Sequence, residues 1–85
     1  MSNFTKHMEV NGVSYGFSFQ LVLSSSYDKY FIKAQRSEEE TIAFEMKKGV
    51  SGSWVVIQPA PIWIVGAQEQ LSKEIMMHYD ASKRE

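Results

Sequence analysis

The dipeptide Asn11-Gly12 constrains this chain more than any other feature of its sequence. A two-residue β-hairpin loop of type I′ needs positive φ at both central positions, and asparagine followed by glycine meets that need at low steric cost. Apolar and polar residues alternate on both sides of it. After the turn, Val13, Tyr15, Phe17, Phe19, Leu21 and Leu23 interleave with Ser14, Gly16, Ser18, Gln20 and Val22, a period of two that gives the strand one apolar face.

The loop length also sets the register. Two central residues place Val10 opposite Val13, Met8 opposite Tyr15, Lys6 opposite Phe17 and Phe4 opposite Phe19. The apolar residues of the first strand then fall on the same face as those of the second, with Lys6 alone discordant near the open end, where its stem can carry the ammonium to water. On the other face His7 lies across from Gly16, so the imidazole can cover a glycine that has no side chain of its own.

A polar loop over residues 24–29 leads to a third strand at 30–36, in which Phe31 interrupts the polar side of the alternation. The next segment carries opposing signals. Ser37 with Glu40 has capping-box spacing and Gly49 stands where a helix would stop. Against this, Ile42, Phe44 and Met46 share one face of a strand, whereas on a helix Phe44 and Met46 point roughly 160° apart. The periodicity predicts a fourth strand. A β-branched run at 54–57, ended by Pro59, forms the fifth. Residues 62–65 fit either an extended piece or an early helical turn. From Ala67 the period becomes helical, with Ala67, Leu71, Ile75, His78 and Ser82 on one stripe and Glu69 in the first turn, where its charge suits the helix dipole.

Eighty-five residues with 44% apolar and 13% aromatic side chains support one hydrophobic core. The expected fold is therefore a single α+β domain, residues 1–85, with an antiparallel sheet of about five strands and one C-terminal helix packed on the face bearing Tyr15, Phe17, Phe19 and Leu21.

Most chemical functions find no support. The chain has no cysteine, which excludes a disulfide framework, a thiolate zinc site and a thiol nucleophile. Its only histidines, His7 and His78, are placed on different faces by the register, so neither a metal site nor any cofactor is expected. Ser24, Ser25 and Ser26 with Asp28 or Asp80 show no spacing that singles out a triad, and a turn bonded by its own short polar side chains explains them. Glu38, Glu39 and Glu40 read as a solvated turn or an N-terminal cap, since general acid work needs a carboxyl in an apolar cleft. Lys47 and Lys48 precede the glycines of the 49–53 loop instead of following them, which is not the order of a phosphate-binding loop. The expectation is a protein that is not an enzyme.

Nine basic residues against ten acidic ones create no field that would draw in nucleic acid or an anionic membrane. The first ten residues hold no apolar run of the length a secretory signal needs, and prolines and glycines interrupt the longest weakly polar stretch, so a cytoplasmic setting without a membrane span is expected.

The most informative feature is an absence. Residues 49–68 carry both tryptophans and not one of the nineteen charges. In a simple meander the fifth strand is an edge, and edges are normally guarded by Lys, Glu or Pro. The segment 54–57 has none of these, so a second subunit continuing the sheet would explain the pattern. The expected function is a small binding or assembly module, forming a homodimer or meeting another protein through Trp54, Val56, Trp63 and Ile64, with Met77 as an adaptable contact on the helix. Burial of the same strand inside the chain would explain the pattern equally well. The alternative function is weak nucleic-acid binding by the polar sheet face, with Lys33, Lys47 and Lys48 as the basic rim and Phe31 as the sole aromatic available for stacking.

Overall fold

The computed structural model describes residues 3–23, 28–37 and 40–83 of the chain. The serines expected at 24–26 and the carboxylates of Glu38 and Glu39 lie outside the described residues. Five strands, β1 (Phe4–Val10), β2 (Val13–Val22), β3 (Lys29–Ser37), β4 (Glu40–Lys48) and β5 (Trp54–Val56), form one sheet in chain order, every neighbouring pair antiparallel. Two helices follow, α1 (Ile62–Gly66) and α2 (Gln68–Lys83). This is the expected α+β architecture.

The hairpin turn has φ of 54° at Asn11 and 79° at Gly12, as a type I′ loop requires. The pairs Val10 with Val13, Met8 with Tyr15, Lys6 with Phe17 and Phe4 with Phe19 all occur. His7 does lie over Gly16: a Cβ built on that glycine would stand 3.4 Å from His7 Nε2. The contested fourth segment is a strand, because Phe44 and Met46 are buried opposite Ile32 and Tyr30. That burial outweighs the local capping signals of the 37–40 segment, each of which is worth about 1 kcal/mol.

Residues 62–65 take the helical alternative. Pro61, with φ −57° and ψ 145°, stays extended and offers its carbonyl to the N–H groups of Ile64 and Val65 at 3.0 and 3.2 Å. The turn drives Ile64 into the core, fully buried, and delivers the chain to α2.

The helix α2 lies between the two outer strands. It runs antiparallel to both: Gln68 and Ser72 meet Val56 and Trp54 of β5, while Glu74 and His78 meet Lys6 and Phe4 of β1. The sheet curls to allow this. Aromatic rings carry the core from one strand to the next, Phe4 stacked on Phe19 at 4.3 Å, Phe19 edge-on to Tyr30, Tyr30 edge-on to Trp54, and Trp54 edge-on to Tyr79 of the helix.

The buried stripe of α2 differs from the expected one. Ala67, Leu71 and Ile75 point inward as predicted, but Ser72 and Tyr79 complete the stripe in place of His78. His78 is solvent-exposed, its ring stacked on Phe4 at 3.7 Å and 11°. The rotation has a cause in hydrogen bonding, since turning the helix toward β5 brings Ser72 and Gln68 to backbone groups that otherwise have no partner. The side chain of Ser82 lies outside the described residues.

Candidate interaction surfaces

The edge of β5 is the first surface to consider, because the uncharged stretch pointed to it. Ile57 N–H donates to Glu45 O at 2.8 Å and Gly49 N–H to Ser53 O at 2.7 Å. The ladder bonds of β5 therefore sit at odd-numbered positions, and Trp54 and Val56 turn their backbone groups away from β4. Both outward donors are occupied within the chain. Trp54 N–H donates to Ser72 Oγ at 2.8 Å and Val56 N–H to Gln68 Oε1 at 2.9 Å.

The helix thus occupies the place along β5 that an added strand would take. The side chains behave alike: Trp54, Val56 and Ile64 are all buried in the chain's own core. Sheet continuation at β5, expected from the missing charges, lacks the free donors it needs, and burial within the chain accounts for the apolar character of these three residues. Nothing in the local sequence marks Ser72 or Gln68 as edge partners, since they lie 18 and 12 positions from the groups they meet.

Trp63 differs from the other three. It is half-buried on the outer side of α1 and stacks on Tyr15 of β2, centroids 4.5 Å apart and planes 15° from parallel. Ile62 beside it is 90% exposed, and Val65 is exposed on the same short helix. Trp63, Tyr15 and Ile62 form an apolar corner near the Asn11-Gly12 end of the sheet, whereas Val65, two positions beyond Trp63 on the helix, points roughly 160° away from it. The sequence pattern singles out Trp63 but not Tyr15, whose place in the strand alternation reads as core. Met77 is 69% exposed, yet it stands fourteen positions along the chain from Trp63 and more than half the length of α2 away, about 14 Å from the start of that helix. It does not join the corner.

The opposite edge, β1, is open. Its ladder bonds fall at Val10, Met8, Lys6 and Phe4, as a two-residue hairpin dictates, so Thr5, His7 and Glu9 turn their backbone groups outward. Among the described residues no hydrogen bond meets them. Lys6 points to the inner side of this strand and reaches Glu74 Oε1 at 3.6 Å.

The polar sheet face carries the residues of the alternative reading. Lys33 and Lys47 share that face with Gln20, Phe31 and Gln35, as the strand register predicted. Lys48 does not. It pairs with Trp54 on the inner side, and its ammonium lies 5.2 Å from the ring of Tyr79. Lys29 on the outer face is neutralised by Glu45 at 2.9 Å. The basic rim is therefore divided between two sides of the sheet.

Among the described residues there is no group of three or more His, Asp or Glu side chains able to hold a metal ion. His7 and His78 stand on opposite sides of the sheet. No described helix is long and apolar enough to cross a membrane. No protein-family model, curated protein or solved structure matches the chain.

Proposed function

We propose that this chain is a non-catalytic, cytoplasmic assembly module that pairs with a second copy of itself through the apolar corner of α1. The observation that carries this reading is the half-buried Trp63 ring, stacked on Tyr15 and next to the protruding Ile62, within a stretch of twenty residues that holds no charge. A partner of opposite charge would find nothing to pair with at this corner. A second copy meets no like charge there, and a two-fold contact lets each Ile62 cover the partner's Trp63 while its own ring is covered in return.

Magnitudes place the association at the weak end. Trp63, Ile62 and Tyr15 present less than the roughly 800 Å² per partner that a standard stable complex buries. Each fully covered apolar side chain contributes about 1.5–3 kcal/mol, against an association cost of at least about 4 kcal/mol. The expected dimer dissociates on dilution. Trp54, Val56 and Ile64 have a supporting role in this reading, holding α1 in place from beneath.

Sedimentation equilibrium over a wide dilution range tests it. Ile62→Lys puts two ammonium groups into a two-fold contact while changing a side chain that touches little within its own chain. The wild type should shift from dimer to monomer on dilution, and the variant should stay monomeric with an unchanged circular dichroism spectrum. A wild type that is monomeric at every concentration, or a variant that associates as well as the wild type, overturns the reading.

A further inference from the structure

The outer face of the sheet holds a feature that self-association leaves unused. Along β3 the outward residues are Lys29, Phe31, Lys33 and Gln35, and Phe31 is the one Phe, Tyr or Trp on that face among the described residues. Two depressions meet at its ring. One, of about 360 Å³, lies over β1 to β3 and is lined by Asn3, Thr5, Ser18, Gln20 and Lys33. The other, of about 320 Å³, continues on the far side of the ring over β4 and the end of β5, against Ala43, Glu45, Ile57 and Pro59.

Together they form a shallow trough that crosses β1 to β4 and ends on the segment just after β5, with Phe31 half-buried at its middle. Four inter-strand spacings make it roughly 19 Å long. The charges along it are unequal. Glu45 and Lys29 cancel at 2.9 Å, whereas the exposed ammonium of Lys33 lies over the Phe31 ring, 5.9 Å from its centroid, and pairs with no carboxylate among the described residues. Thr5, Ser18 and Gln20 add neutral donors and acceptors.

A partly exposed ring, an uncompensated cation poised over it on a flexible stem that can swing aside, and neutral hydrogen-bonding groups around both suit a planar base that carries a phosphate. The trough runs past the ring in both directions, so its length serves a chain of such units better than a single one. We infer that this trough binds single-stranded nucleic acid, with one base stacked on Phe31, a phosphate at Lys33, and the flanking nucleotides in the two depressions. The overall charge of −1 supplies no steering, so affinity comes from these local contacts and its salt dependence is shallow.

Fluorescence anisotropy with a labelled oligothymidylate, titrated at several salt concentrations, tests the assignment. The wild type should bind at low salt with a slope of log K against log salt near that of one phosphate contact, about −0.7. Phe31→Leu keeps apolar bulk but removes the ring, and loss of one stacked base should weaken binding roughly 5- to 150-fold. Lys33→Gln should reduce the salt slope toward zero while leaving circular dichroism unchanged. Absence of binding at low salt overturns the inference, as does binding by Phe31→Leu equal to wild type. Thymidine monophosphate that competes as well as the oligonucleotide would show a mononucleotide site instead and would also overturn it. Ile62→Lys should bind the oligonucleotide as the wild type does, since the corner of α1 takes no part.

Discussion

Trp54 and Ser72, eighteen positions apart, close the fifth strand: the backbone N–H of Trp54 donates to the Ser72 hydroxyl at 2.8 Å in a buried contact. Ser72→Ala removes the acceptor this donor meets among the described residues and leaves a buried N–H unpaired. The cost of that is about 1–3 kcal/mol, a large fraction of the stability of a domain this small. Urea unfolding monitored by tryptophan fluorescence should show the midpoint shifting down with an unchanged slope. A loss below about 0.5 kcal/mol would mean that the edge of β5 finds a replacement partner and that Ser72 is not what closes it.

The hydroxyl of Tyr30 presents the reverse case. The residue is fully buried, and its oxygen has no hydrogen-bond partner among the described residues. Its pKa is pushed up to about 12 from 10.0, chiefly by burial and further by the nearby Tyr79 and Asp28. The folded state therefore holds this proton more tightly than the unfolded chain does. The sign follows: stability from this group is fully present below pH 10 and is lost as pH rises from 10 toward 12, by roughly 1.4 kcal/mol per pH unit. Tyr30→Phe deletes an unsatisfied polar group at little cost in volume, so it should be neutral or stabilising by about 1 kcal/mol near neutral pH. It should also flatten the alkaline limb of stability against pH. A destabilised Tyr30→Phe protein would show that the hydroxyl does have a partner.

Tyr79 ties the far end of the helix to the start of β3, its hydroxyl donating to Asp28 Oδ2 at 2.6 Å. Tyr79→Phe isolates this bond, because the ring that meets Trp54 and Lys48 stays in place. A double-mutant cycle with Asp28→Ala should give a coupling energy of about 1.5–3 kcal/mol, the range for hydrogen bonds to charged acceptors. Additive losses would show that the two side chains act separately.

What could be read from the sequence divides according to distance along the chain. The hairpin, its register, the inward placement of Lys6 and the cover of Gly16 by His7 all follow from a two-residue loop and a period of two, which are local rules. The fourth strand was legible only because Ile42, Phe44 and Met46 keep that period against contrary capping signals. The rotation of α2 from His78 to Tyr79 was not legible, since it depends on Ser72 and Gln68 meeting β5, and no local pattern encodes that meeting. For the same reason the uncharged stretch pointed to an exposed edge where the chain instead closes the edge with its own helix. Of the five residues singled out for interaction, Trp63 and Met77 retain exposed surface, and Trp63 does so because α1 turns Ile64 inward in its stead.

The open edge is β1, and Lys6 guards it. Its inward-facing side chain reaches toward Glu74 at 3.6 Å and is half-exposed, so any strand pairing along β1 would have to accommodate an ammonium beside the apolar residues Phe4 and Met8. A charge turned inward on an edge strand is a known obstacle to edge-to-edge pairing. Lys6→Val removes it and improves the strand's apolar alternation without disturbing the ladder to Phe17. The surface ion pair lost with it is worth at most about 1 kcal/mol, and the added β-propensity offsets part of that. The expected outcome is a folded chain of nearly unchanged stability that associates more readily than the wild type, forming species larger than a dimer detectable by light scattering. The added association should persist in the double variant with Ile62→Lys, which removes the corner contact but leaves β1 untouched. If Lys6→Val scatters no more than the wild type, the side chain is not what keeps β1 unpaired, and the outward-facing Glu9 and His7 become the residues to replace.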